Sequence, residues 1–95
     1  DIRRRCEWEK TGIIKNSILL TAFDGASKFI RSFPAVLMEV VALDEEVVLI
    51  CGEGVRSSMI ANMLTEQAGY TTVYNVTDGI ERWLKDGNSV VPLRR

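Results

Sequence analysis

The sequence predicts a single α/β domain, with a mainly parallel sheet flanked by helices on both faces. Three observations carry that expectation. Val47-Val48-Leu49-Ile50 is a short unbroken apolar run, the pattern of a strand buried on both faces in a parallel sheet. A helical pattern follows over 56–68, and a second short run rich in β-branched and aromatic residues occupies 72–76. Strand and helix in alternation give parallel strands joined by crossover helices. Ninety-five residues are enough for one core and leave little for another.

Taken in order, a strand is expected within 13–20, centred on Ile18-Leu19-Leu20. Ser32-Phe33-Pro34 opens a helix with proline near its first position, running to about Leu43. Asp44-Glu45-Glu46 then turns the chain into the 47–50 strand. In the 56–68 helix, Met59, Ile60, Met63 and Leu64 share one side, and Gly69 supplies the C-cap. Asp78 is placed as the N-cap of a last helix carrying Ile80, Trp83 and Leu84, closed by Gly87. Trp8 and Trp83 are read as buried anchors between sheet and helices. Met59 and Met63 are read as packing residues.

Composition excludes several classes of function. The chain is 46% hydrophobic and 26% charged, a balance that builds a core and argues against disorder. A net charge of −1 creates no general attraction for nucleic acid or for a membrane surface. Arg3, Arg4, Arg5, Arg94 and Arg95 are accordingly read as solvated surface. No apolar run approaches the roughly 20 residues that cross a bilayer. Two cysteines cannot make a disulfide framework, which favours a reduced, cytoplasmic setting. The absence of histidine removes Ser-His and Cys-His pairs and the commonest metal ligand. No metal and no cofactor are expected, and the chain is expected to be a monomer.

The chemistry converges on Cys51. It ends the apolar strand, where open α/β sheets place their sites. Gly52-Glu53-Gly54-Val55-Arg56-Ser57 follows directly. Two glycines allow the loop to curl its N–H groups around the sulfur, and the helix that follows presents its positive end. A thiolate there is stabilised and nucleophilic. Arg56 adds a fork of donors for an anionic substrate. Cys6 lies in the charged stretch Arg5-Cys6-Glu7-Trp8-Glu9 and is read as an ordinary, partly exposed thiol.

With these residues in view, the chain resembles the rhodanese family along nearly its whole length. Asp1-Ile2-Arg3, then Glu7-Trp8 and Thr11-Gly12-Ile13-Ile14, is similar to the family's opening stretch. Cys51-Gly52-Glu53-Gly54-Val55-Arg56-Ser57 resembles its active-site loop, and Tyr74-Asn75-Val76 with Asp78-Gly79-Ile80 and Trp83 resembles its closing motif. Pro92 falls where the family commonly has a proline. The resemblance implies a sulfurtransferase that needs no cofactor. A sulfane sulfur would pass from thiosulfate, polysulfide or a persulfide donor onto Cys51, and then to a thiol, cyanide or a carrier protein. It implies that Arg56 and the amides of 52–57 form the anion cradle, and that Asp1 helps fix the surrounding loops. It also implies that the 1–95 domain lacks its natural N-terminal strand, the one leading into Asp1.

The sequence departs from the family pattern at three places. Ile13 stands where a histidine is common, Asp78 replaces the first glycine of a pair, and Glu53 sets a negative charge in the loop. An acid close to an incoming dianion weakens its binding by about 1 kcal/mol or more in a partly screened site. A persulfide or polysulfide donor is therefore at least as well suited as thiosulfate. A non-catalytic rhodanese-like binding or regulatory module and a sulfur carrier are the alternatives. A cysteine phosphatase or arsenate reductase is a further rival, disfavoured because four residues separate Cys51 from Arg56 where the phosphatase loop has about five.

Overall fold

The computed structural model describes residues 1–93; Arg94 and Arg95, read above as surface, lie outside them. The elements run α1 (Arg5–Thr11), α2 (Phe33–Val40), β1 (Val47–Leu49), α3 (Val55–Glu66), β2 (Val73–Asn75) and α4 (Gly79–Lys85). β1 and β2 pair in parallel, with Val47 opposite Val73, Val48 opposite Tyr74 and Leu49 opposite Asn75. α3 is the crossover between them and packs on both strands. The α/β architecture with a small parallel sheet is thus the one the alternating pattern predicts.

Sheet-like hydrogen bonding extends past the two named strands. Ile2 N–H donates to the Ile50 carbonyl at 3.0 Å, and the amides of Leu20 and Ala22 donate to the carbonyls of Asp1 and Ile2 at 3.0 and 3.2 Å. The strand expected at 18–20 is realised as this pairing and forms no ladder of its own. Asp1-Ile2 therefore lies between the end of β1 and the 20–22 segment. An apolar cavity of about 340 Å³ borders the same edge, with Ile18, Leu20, Phe33, Leu37 and Val48 among its lining residues.

The core gathers Ile2, Ala22, Phe33, Leu37, Val47, Leu49, Ile60, Leu64 and Tyr70. Each fully buried Val, Leu, Ile or Phe among them contributes about 1.5–3 kcal/mol. Tyr70 brings its hydroxyl with it and donates to the Val41 carbonyl at 2.7 Å, so the buried phenol is satisfied.

Three expectations need correcting, and one element was not foreseen. The 47–50 run is not covered on both faces, because Val48 is 61% exposed and its register partner Tyr74 is 53% exposed. A continuous apolar run hides the alternation of a strand's two faces, since both faces carry the same residue type. In α3, Ile60 and Leu64 are buried, whereas Met59 is exposed. Trp8 is buried as expected, but Trp83 is only half-buried and donates its indole N–H to the Ser89 carbonyl at 2.9 Å. Finally, α1 is a helix that the charged stretch at 5–11 did not announce, as its short length and single buried residue leave almost no apolar period to read.

Candidate active site

The chain leaves β1 at Ile50, and Cys51 follows with only 1% of its surface exposed. Three residues later Gly54 occupies the N-cap position of α3 with φ +95°. A side chain there is doubly excluded, since a Cβ would approach the Asp78 amide nitrogen to 2.9 Å. This turn aims N–H groups back at the sulfur. Gly54 N–H donates to Cys51 Sγ at 3.1 Å and Ser57 N–H at 3.4 Å. The Ser57 hydroxyl, fully buried, lies 3.3 Å from the same sulfur. It also meets the Gly54 carbonyl at 3.3 Å and the Asn75 side-chain amide of β2.

A loop whose amides point inward must place its carbonyls elsewhere. Those carbonyls are taken by the start of α4, where Ile80 N–H donates to the Cys51 carbonyl at 2.8 Å and Glu81 N–H to the Gly52 carbonyl at 3.1 Å. The approach is so close that a Cβ on Gly79 would overlap both carbonyl oxygens, and Gly79 has φ +61°. Asp78, placed from sequence as a side-chain N-cap, does stand at that position. It adopts a left-handed backbone with φ 63° and makes no capping hydrogen bond, because the N–H groups it would have capped go to the loop carbonyls.

The electrostatic result favours a thiolate. Burial pushes the Cys51 thiol up, but the Ser57 hydroxyl and the amides of Ser57, Gly54 and Glu53 pull it down further, leaving it below the ordinary thiol value. Hydrogen bonds made to the charged form outweigh desolvation here.

Arg56, expected to stand free for an anion, is held by Glu7 of α1. Its two terminal nitrogens donate to Glu7 Oε1 and Oε2 at 2.8 and 2.7 Å, the bidentate geometry of a strong charge-assisted pair. Glu7 Oε1 also accepts the Arg4 N–H at 3.2 Å, anchoring the first turn of α1. The pair lies over Gly52, where a Cβ would sit 3.2 Å from Arg56 Nη2. The hydrogen bond from Arg56 holds the Glu7 carboxyl below the usual range despite partial burial, and Glu7 in turn raises the guanidinium.

Asp1 does not touch Cys51. It is buried against Arg3, which is 1% exposed, with Nη2 2.9 Å from Oδ2. Arg3 is therefore a buried structural cation, contrary to its reading as solvated surface. It also donates to Thr11 Oγ1 at 2.8 Å and the Gly12 carbonyl at 3.1 Å, at the end of α1. Asp1 and Arg3 thus tie the start of the chain to the end of the helix that carries Glu7. The side chains of Glu53 and Val55 are exposed, and Cys6 is exposed and free.

A cavity of about 300 Å³ opens beside the loop, lined by Gly52, Glu53 and Arg56, by Glu7 and Lys10 of α1, and by Ile80 and Glu81 of α4. Gly52 reaches it and Cys51 does not. Sequence reasoning missed three contributors: Glu7, Gly79 and Asn75. All three stand in the motifs quoted above for the resemblance, but the contacts through which they act join distant segments, and only Glu7 offered a further signal, an acid in the first turn of a helix.

No curated protein matches the chain. Comparison with protein families matches residues 1–86 of its 95 to the Rhodanese-like domain. That match spans the buried Asp1–Arg3 pair, the Cys51 loop and the α4 amides that orient it, and the chain belongs to the rhodanese-like domain family.

Proposed function

We propose that the protein is a sulfurtransferase that carries sulfur on Cys51. The family holds both sulfurtransferases and non-catalytic members, so the reading rests on the site. The observation that carries it is the aim of the Gly54 and Ser57 amides at Cys51 Sγ. Donors fixed around a sulfur favour an anion there, whether thiolate or persulfide. In the first step the Cys51 thiolate attacks the outer sulfur of the donor. One S–S bond forms and the donor's own S–S bond breaks, releasing sulfite from thiosulfate or a thiolate from a persulfide. In the second, an acceptor such as cyanide or a thiol attacks the outer sulfur of the Cys51 persulfide, and the Cys51 thiolate is regenerated as leaving group. Loop amides bind the negative charge throughout, and the roles of residues 52–57 follow from that. Arg56 lends positive charge from its place over Gly52.

A sulfur carrier or regulatory module with little turnover is the second reading. Arg56 already paired with Glu7 and the burial of Cys51 favour it.

The test is intact mass after incubation with thiosulfate, and separately with polysulfide, beside Cys51→Ser. Sulfurtransfer requires a gain of one sulfur that cyanide removes as thiocyanate and that Cys51→Ser abolishes. A folded, reduced protein that gains no sulfur from either donor would falsify the proposal and leave the binding module.

A further inference from the structure

The mouth beside the Cys51 loop carries three carboxylates, Glu7, Glu53 and Glu81, and the cations Lys10 and Arg56. Arg3 also borders it, but its donors go to Asp1, Thr11 and the Gly12 carbonyl. Once Glu7 has taken both terminal nitrogens of Arg56, the end of the guanidinium that binds two oxygens side by side is occupied. Glu53 and Glu81 then face an incoming molecule with Lys10 as the counter-charge. A dianion entering this mouth meets like charge, and displacing Glu7 would strand a carboxylate beside it.

We propose that Glu7 is a specificity-determining positioning residue: it withholds Arg56 from oxyanions and makes Cys51 select against anionic reagents. Resting on the sulfurtransferase reading, this selects a persulfide borne on a thiol carrier over a dianionic sulfur oxyanion such as thiosulfate. The Cys51 thiolate attacks the terminal sulfur of the carrier persulfide, the carrier thiolate leaves, and no external oxidant or reductant is consumed. Glu7 touches neither reacting sulfur; it acts through Arg56.

The experiment compares alkylation of Cys51 by iodoacetate and by iodoacetamide, followed by mass spectrometry of the Cys51 peptide so that Cys6 is scored apart. Both reagents consume the same thiolate, so a change in its pKa or in loop stability cancels in the ratio of rates, and only charge selection at the mouth remains. Glu7→Gln keeps an oxygen for the Arg4 N–H and loses the charge. It is expected to raise the iodoacetate-to-iodoacetamide ratio about tenfold. Glu7→Asp should return the ratio toward wild type. Glu9→Gln, an exposed change on the same helix, should leave it where it was. The same proteins are then incubated with thiosulfate and with cysteine persulfide, and the preference for persulfide should fall in Glu7→Gln in parallel. An unchanged ratio in Glu7→Gln overturns the assignment of Glu7, whether or not sulfur is transferred. A changed ratio with no sulfur gained from either donor, in any variant, upholds Glu7 as the charge selector and removes the sulfurtransferase reading instead.

Discussion

Two arginine–carboxylate pairs hold the region around Cys51, and they differ in depth. The side chains of Arg3 and Asp1 are fully buried, and Arg3 also donates to Thr11 and to the Gly12 carbonyl. Arg56 and Glu7 have shorter contacts but leave about a quarter of each side chain in solvent. Geometry alone would rank the second pair as the stronger. Burial reverses the consequence of breaking them. Removing one partner of a buried pair leaves an uncompensated charge with no water to receive it, at a cost of about 3–5 kcal/mol. A pair that keeps about a quarter of each side chain in solvent is rehydrated when it loses a partner, and the loss is about 1 kcal/mol or less. One pair therefore belongs to folding and the other to selection among reagents.

The largest expected effect tests that division. Arg3→Leu strands Asp1 and removes the guanidinium N–H groups that donate to Thr11 Oγ1 and the Gly12 carbonyl, so a urea melt should lose about 3–5 kcal/mol, a large share of the stability of a small domain. A loss below about 1 kcal/mol would put the two pairs in one class and undo the comparison. Next comes Gly79→Ala. It forces an L side chain into a left-handed backbone and into the carbonyls of Cys51 and Gly52, at about 2–3 kcal/mol. Because α4 then withdraws from the loop, reaction of Cys51 with iodoacetamide should slow even where the protein stays folded. Glu7→Gln sits below both in stability, with about 1 kcal/mol or less lost, while its effect on reagent choice is the largest of the three.

The smallest effect is on titration. The folded-state value of Cys51 is depressed, so its thiolate contributes stability above the unfolded thiol value, and that contribution is lost as pH falls through the folded value. Iodoacetamide rates at Cys51, scored against pH, should fall off below the ordinary thiol range. Ser57→Ala removes the strongest of the hydrogen bonds that lower it and should move the profile upward. A profile that stays where it was would assign the depression to the amides alone.

Much of the site was legible from residues close together in the chain. An apolar run ending at a cysteine, a Gly-x-Gly turn and an arginine at a helix start are local features. Their consequences, a strand end, a curled loop and a helix N-terminus, extend over three or four residues, which is the reach of turn and helix geometry. The loop proved to bind Cys51 through Gly54 and Ser57 as that pattern implies. Less was legible at the start of the chain, where three consecutive arginines look alike. Arg3 is buried and Arg5 is exposed, and only their distance from Asp1, Thr11 and Gly12 in space tells them apart.

By itself the sequence determined the α/β class, the crossover helix between two parallel strands, and the cysteine around which the loop amides are arranged. Tertiary structure alone decided what Arg56 does. Its partner lies forty-nine residues away in the chain, on a helix too short and too charged to show a period. It decided equally that Gly79 must be a glycine and that one face of the sheet carries Val48 and Tyr74 in solvent. Periodicity and capping are properties of neighbours along the chain, whereas a charge pair or a steric overlap exists only once the fold has brought its two halves together.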